Sequence, residues 1–318
     1  MNDKRRRKIN RTAFKAFPWI MGAILVVLVI LQINGNSSEA QSKEANKANQ
    51  QADSGSSQVI KKQSKIKSEL ANYLKTVTKD GTVSVSFYNL GAPAKSEAAT
   101  GSDAAVYKAG SLATESNAHS AQTAASTYKL FIAAYLMQQK QAGNFSWTAA
   151  NEAGFYQMIV DSANTFADSE LQNYSMASVN KFIADQGWYS PVFQETVIAK
   201  TTSHSLMLLL GQLNAGTGPF KNANDRKKIL NLMSKQIYRT GIPAGAREAE
   251  TGTKVADKVG FLNDTNNDAG IVTLPNGQKY ILVIMTHGHG QSGFSGFPKM
   301  AEITKKVQTI VYGTNAGE

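Results

Sequence analysis

A serine and a lysine three residues apart, Ser126 and Lys129, are the pair in this sequence best suited to do chemistry. Residues at this spacing share one face of a helix, so a helix that begins near Ser126 places the lysine amine beside the serine hydroxyl. Burial disfavours the charged form of an amine, and a neutral amine can act as a base. Residues 130–137 are almost all apolar, which predicts that this helix is buried. The pair therefore predicts a serine nucleophile activated by a lysine.

Other residues of these types occur in weaker contexts. Ser64 and Ser178 also precede a lysine by three residues, but Ser64 ends a polar segment and Ser178 lies in a segment whose polar residues we expect on an exposed helix face. None of the four histidines lies beside a serine in a known nucleophile motif. His287 and His289 offer a metal two imidazoles with no third ligand in view, so a polar strand end is the favoured interpretation.

Two later tripeptides could complete an acyl-transfer site. In Ser162-Ala163-Asn164, the serine hydroxyl could relay a proton and the asparagine amide could hold a substrate carbonyl. In the second tripeptide, which begins at Lys258 and ends at Gly260, a cation on a strand could face a cleft. The glycine would let a substrate backbone approach closely.

The pattern of apolar residues predicts the elements that position these motifs. Helical spacing follows Leu70, and the middle of the chain, about residues 126–238, consists of successive predicted helices. The predicted strands are 82–90, 104–111, 254–262, 269–274 and 280–286, and a helix follows around 303–311. This order predicts a sheet completed by both ends of the chain, with an all-helical subdomain inserted between them.

The N-terminal fifth of the sequence, residues 1–66, has a different organisation. Residues 1–16 carry seven basic residues against one acidic residue, and residues 17–33 contain no charge, which predicts a basic cytoplasmic tail and a transmembrane anchor. A cleaved signal peptide is the alternative, with Ser38-Glu39-Ala40 as the cleavage site. Residues 34–66 are polar and predict a flexible tether, so the folded domain is expected at 67–318, outside the cell.

Composition excludes several classes of function. The net charge of +11 comes mostly from the N-terminal segments, and only about three positive charges remain over residues 67–318. The charge therefore gives no support for a nucleic-acid partner. The sequence contains no cysteine, which excludes disulfides, thiol catalysis and cysteine metal sites.

With these motifs in this order, the chain resembles the penicillin-recognising serine hydrolases, the family of serine β-lactamases and penicillin-binding proteins, and most closely its class A β-lactamase-like branch. The resemblance implies an α+β fold, an α/β sandwich with a mainly antiparallel five-stranded sheet flanked by the N- and C-terminal helices. It implies that Ser126 is acylated, Lys129 is its base and Ser162 relays a proton. Asn164 and Lys258 would contact the substrate.

The family likeness also implies an oxyanion hole made by the backbone N–H groups of Ser126 and Phe261. The sequence departs from the family at Val259, where a hydroxyl is usual, at Ala163, where aspartate is common, and in the loop that carries the deacylating glutamate. Glu195 is the one carboxylate of that loop, and it lies closer to Thr201 than the family's glutamate should. Rapid turnover of β-lactams is therefore not expected.

These residues lead to an enzyme hypothesis and an alternative. The first is an extracytoplasmic, monomeric serine hydrolase, membrane-bound through its N-terminal anchor, that forms an acyl-enzyme with β-lactams or D-alanyl cell-wall peptides. The alternative is a non-catalytic or permanently acylated cell-wall-binding or sensor domain of the same fold. Neither requires a cofactor or a metal.

Overall fold

The computed structural model describes residues 38–318, with side chains from Gly55 onward. The chain divides into two units, residues 1–50 and 51–318, and the fold described here belongs to the second. Its main feature is a five-stranded antiparallel sheet with the strand order β2-β1-β7-β6-β5. The strands of this sheet are β1 (Val83–Gly91), β2 (Thr114–Ser116), β5 (Lys254–Leu262), β6 (Thr265–Thr273) and β7 (Lys279–Thr286). A second, two-stranded sheet pairs β3 (Gln122–Thr123) with β4 (Lys200–Thr201).

Helices cover both faces of the larger sheet. One long helix precedes the sheet, the helices of the helical block and one further helix lie between β3 and β5, and the last helix follows β7. The helices are α1 (Ser38–Val77), α2 (Glu97–Thr100), α3 (Lys129–Gln141), α4 (Ala149–Ile159), α5 (Thr165–Tyr174), α6 (Met176–Asp185), α7 (Ser203–Ala215), α8 (Ala223–Met233), α9 (Ile242–Ala249) and α10 (Phe297–Tyr312). Two short 3-10 turns, Ala125–Tyr128 and Gly218–Phe220, complete the set.

The sheet separates two apolar cores. Strand β7 shows how the sequence builds both, because alternate side chains of a strand point to opposite faces. Ile281 and Val283 pack against the helical block, whereas Leu282 and Ile284 pack against α1, α9 and α10. A strand buried on both faces reads as a continuous apolar run, as β7 does.

The predicted fold class is confirmed, with two differences in the strands. Residues 104–111 form turns instead of a strand, and they are held by the amide of Asn89, which donates to the carbonyls of Tyr107 and Lys108. The second strand of the sequence is instead β2. Strand β6 begins at Thr265, four residues before the predicted start. Nothing in the sequence marks these four residues as a strand, because they are polar and show no apolar alternation.

Residues 34–66 were predicted to form a flexible tether, but α1 begins at Ser38 and continues to Val77. Alanine, glutamine, lysine and glutamate are good helix formers even without an apolar face. Contacts with the rest of the second unit also begin before residue 67. Ile66 is fully buried, and Lys62 Nζ lies 2.8 Å from the Asp103 carboxylate. The folded domain therefore starts earlier in the sequence than predicted.

The predicted basic tail and transmembrane anchor, residues 1–33, lie outside the described residues. Within residues 38–318, no helix is both long enough and apolar enough to cross a bilayer.

Candidate active site

Ser126 lies in the 3-10 turn that connects β3 to α3. The residue before it, Ala125, has φ +43°, a left-handed conformation that is costly for a residue with a side chain. Such strain persists only where the surrounding structure enforces it, and it is frequent at functional sites. Here Asn267 of β6 donates from its amide to the carbonyls of Thr123 and Ala124, at 2.8 and 3.0 Å. The backbone before Ser126 is thereby fixed to the sheet.

Lys129 begins α3 and its side chain is buried beside Ser126. Its Nζ lies 2.7 Å from Ser126 Oγ, 2.7 Å from the Ser162 carbonyl oxygen and 2.6 Å from Asn164 Oδ1. A carbonyl and an amide oxygen can only accept, whereas the serine hydroxyl can donate. A neutral amine satisfies all three contacts, with two N–H donors and one lone pair directed at the hydroxyl.

The charge state of Lys129 follows from its surroundings. Burial lowers the pKa of Lys129 to about 8, and the carboxylate of Asp168 opposes this shift. About one amine in ten is therefore neutral at pH 7, far more than for a lysine in water. Because Lys129 Nζ lies 2.7 Å from Ser126 Oγ, the neutral amine can accept the proton of the serine hydroxyl.

Ser162 connects Lys129 to a second lysine. It lies between α4 and α5 with φ +61°, another left-handed conformation in a residue other than glycine. Its hydroxyl accepts from Lys258 Nζ at 2.7 Å, and its carbonyl accepts from Lys129. Burial, together with the nearby Lys129, lowers the pKa of Lys258 well below its usual value. The sequence predicted four side chains here, and the structure brings all of them together: Ser126, Lys129, Ser162 and Lys258.

Strand β5 forms the wall of the site opposite α3. It is the edge strand of the larger sheet, so backbone groups along its free side are not used by a neighbouring strand. A Cβ atom at Gly260 would lie 2.8 Å from the Ser126 nitrogen and 3.0 Å from the Ala124 carbonyl oxygen. Gly260 therefore allows β5 to approach the nucleophile turn itself, a role that the sequence interpretation had assigned to substrate approach.

The residues on either side of Gly260 in β5 lie in different environments. Val259 is fully buried and packs in the core with α9 and α10, so it offers no hydrogen-bond donor at the site. Phe261 is partly buried, and its ring contacts Tyr238 and Phe294 at centroid distances of 5.3 and 4.5 Å. Phe294 is exposed, so this aromatic cluster reaches solvent.

A buried charge cluster supports β5 from behind. Arg239 Nη1 donates to Asp257 Oδ1 at 2.6 Å, and Asp268 Oδ2 accepts from the Ile242 backbone N–H at 2.8 Å. Burial raises the pKa of Asp257 well above its usual value and that of Asp268 to about 6. The neighbouring Asp268 adds to the shift at Asp257, and the guanidinium of Arg239 opposes the shifts at both carboxyls.

In the described structure, Glu195 makes no hydrogen bond to Ser126 or Lys129. It is exposed, in the turn closed by the bridge between Gln194 and Val197. In the part of the chain that the structure describes, neither Ser126 nor Lys129 hydrogen-bonds to a carboxylate. The loop does border the nucleophile, because Phe193 packs edge-on against Tyr128, and the Ala199 carbonyl accepts from the Ala124 N–H. It brings apolar side chains, rather than Glu195, to that border.

The profile of the beta-lactamase enzyme family matches residues 155–313, which is half of the chain. The chain belongs to the beta-lactamase enzyme family. No curated protein sequence matches it.

Solved structures show how widely the fold of this beta-lactamase family member is shared. A point mutant of PBP-A, solved as an acyl-enzyme complex with penicillin G, is 19% identical with a TM-score of 0.61, over 77% of this chain and 95% of that one. A beta-lactamase from Sphaerobacter thermophilus is 19% identical with a TM-score of 0.59, over 76% and 95%. The TLA-3 extended-spectrum beta-lactamase is 17% identical with a TM-score of 0.60, over 76% and 97%.

Several residues that position this site were not identified from the sequence. Asn267, Asp268 and Arg239 are polar, and each acts on a segment distant in the sequence, so no local spacing marks them. Asn267 and Asp268 directly precede the apolar half of β6. Their place immediately before an apolar strand segment was the one sequence signal that could have identified Asn267 and Asp268.

Proposed function

We propose that this beta-lactamase family member is a serine hydrolase that forms an acyl-enzyme at Ser126 with β-lactams or D-alanyl cell-wall peptides. The observation that carries the proposal is the buried Lys129 amine, 2.7 Å from Ser126 Oγ, with a pKa lowered to about 8. A serine hydroxyl is a weak nucleophile until an adjacent base takes its proton. Lys129 has the short distance to Ser126 and the lowered pKa that such a base requires.

Acylation then proceeds in two steps. The lone pair of Lys129 accepts the Ser126 proton as Oγ attacks the substrate carbonyl, which gives a tetrahedral intermediate. The backbone N–H groups of Ser126 and Phe261 are the proposed donors to its oxyanion. Collapse of the intermediate breaks the carbon–nitrogen bond of the amide and leaves the acyl group on Ser126.

The leaving nitrogen must gain a proton as that bond breaks. The hydroxyl of Ser162 donates it and recovers a proton from Lys258, whose Nζ lies 2.7 Å away. Lys258 would also contact the carboxylate of the substrate, and Asn164 would contact the substrate amide. Because Lys129 also contacts Ser162, through the carbonyl, both lysines depend on the position of this residue.

Hydrolysis of the acyl-enzyme is the step that this site supports least. Deacylation needs a water molecule and a base beside the ester, and the loop carboxylate Glu195 is exposed. We therefore propose that the acyl-enzyme is long-lived. The same observation favours the second candidate, a cell-wall-binding or sensor domain that remains acylated.

The location is also a proposal. The charge-free run over residues 17–33 after a basic segment supports a single membrane anchor with the domain outside the cell, where wall peptides are the neighbouring polymer. The domain would act there as a monomer, without a cofactor in the acylation chemistry.

The lifetime of the acyl-enzyme can be measured directly. The full-length chain is saturated with a penicillin, excess ligand is removed, and the intact mass is followed over time. We expect the adduct to persist long after acylation is complete. The variant Glu195→Gln should show the same decay. Rapid return of the free protein with release of the hydrolysed penicillin would contradict the proposal, and a slower decay in Glu195→Gln would identify Glu195 as the deacylating base.

A further inference from the structure

Three side chains with metal-binding atoms meet at the far end of the sheet from β5. They are Glu115 on β2, His119 in the turn after it, and His204 in the first turn of α7. One ligand atom from each lies within 4.8 Å of the other two. Glu115 and His204 are already in contact, with His204 Nδ1 2.9 Å from Glu115 Oε2, and the two imidazole rings are 4.3 Å apart between centroids.

The surrounding structure holds Glu115, His204 and the turn that carries His119 in place. Glu115 Oε1 accepts from the Ser86 hydroxyl at 2.6 Å, so one carboxylate oxygen is anchored to the sheet. The backbone N–H of His204 donates to the Ala118 carbonyl, which ties α7 to the turn. Asn117 fixes the other side of that turn by donating to the carbonyls of Thr78 and Val83. The carboxylate and the two imidazoles therefore project from a fixed backbone frame, and only the exposed His119 side chain is free to rotate.

The donor set has the chemistry of a transition-metal site. Two imidazoles and one carboxylate suit zinc and related divalent ions. Tetrahedral zinc with ligands at about 2.0–2.2 Å places them about 3.3–3.6 Å from one another. The His119 side chain is exposed and can rotate inward to reach that spacing, and its exposure leaves the fourth position open to water.

Charge also balances at this position. The positive end of the α7 dipole weakens the binding of a cation near His204. The carboxylate of Glu115 supplies the negative charge that offsets it, while its second oxygen remains hydrogen-bonded to Ser86. The other histidine pair, His287 and His289, has no comparable arrangement, since His289 pairs with Asp80 at the protein surface.

We propose that Glu115, His119 and His204 form a binding site for one divalent transition-metal ion, with zinc the best-suited ion. The site is separate from the acylation residues. The ion would cross-link β2 and the turn that precedes β3 to the start of α7, the helix that follows β4. Because β3 and β4 pair with each other beside the nucleophile turn, the ion would brace the framework from which Ser126 projects.

The test uses the full-length chain after treatment with a chelator. Zinc is titrated by calorimetry and the thermal unfolding midpoint is followed, and cobalt is titrated separately for its visible absorption. We expect one zinc per chain, a higher unfolding midpoint with zinc, and a cobalt spectrum of low coordination number. His119→Ala removes an exposed ligand without disturbing the core. It should weaken zinc binding more than about 100-fold, beyond the loss typical of outer-shell changes.

His289→Ala is the matched control, because it removes an exposed histidine that also contacts a carboxylate. It should leave zinc affinity unchanged. His204→Gln and Glu115→Gln should both abolish the cobalt spectrum. The proposal is overturned if the chain binds no zinc, if His119→Ala binds zinc as tightly as the unmodified chain, or if the His289 variant loses the site instead.

Discussion

The pH dependence of acylation provides a quantitative test of the lysine-base mechanism. The perturbation is a change of pH from 6.5 to 9.5 at fixed penicillin concentration. Burial lowers the pKa of Lys129 to about 8, and the amine acts as a base only when it is neutral. About one amine in ten is then neutral at pH 7 and about nine in ten at pH 9. The acylation rate should therefore rise about tenfold between these values and level off above pH 9.

An unperturbed lysine would behave differently. With a pKa of about 10.4, fewer than one amine in about a thousand is neutral at pH 7, and the rate would still rise tenfold per pH unit at pH 9. The plateau, more than the rise itself, is therefore the signature of burial.

The assay is the rate at which the penicillin adduct appears by intact-mass spectrometry, at each pH. Lys129→Ala should slow acylation by about 10²–10⁴-fold and remove the inflection near pH 8. Lys129→Arg keeps a permanent positive charge and should be equally slow, which separates the need for a base from the need for a cation. A pH-independent rate in the unmodified chain, or an unchanged rate in Lys129→Ala, would refute the reasoning.

Two further substitutions test how the framework supports the site. Gly260→Ala places a Cβ 2.8 Å from the Ser126 nitrogen and should slow acylation by about 10²-fold, whereas the control Gly211→Ala meets its nearest neighbour at 3.9 Å and should acylate normally. Equal acylation rates in the two variants would contradict the close-approach role. Arg239→Ala leaves buried Asp257 without its cation and should lower the free energy of unfolding in urea by about 3–5 kcal/mol. A loss below about 1 kcal/mol would show that Arg239 does not balance that charge.

The parts of the fold that repeat a local pattern were predictable from sequence. The apolar run of β7 and the buried helix after Ser126 each have a short-range signature. The serine and lysine of the first motif are three residues apart, so helical geometry alone brings them together. The contact between Lys129 and Ser126 follows from that spacing.

The remaining features depend on residues that meet only in the folded chain. After Thr265, the next three residues of β6 are two asparagines and an aspartate, which disfavour strands. They are buried because their side chains bond to distant backbone. His204 reaches Glu115 across 89 positions, so the cluster at β2 leaves no trace in any local spacing. In α1, helix propensity produced a helix where the lack of apolar residues had indicated a tether.

The position of the adduct is the most direct test of the central claim, that Ser126 is the nucleophile. The full-length chain is incubated with a penicillin, digested, and mapped by tandem mass spectrometry beside Ser126→Ala. We predict that the peptide containing Ser126 gains the whole mass of the penicillin, because ring opening releases no leaving group, and that the variant gains nothing. An adduct on another residue, or an adduct that persists in Ser126→Ala, would contradict the account.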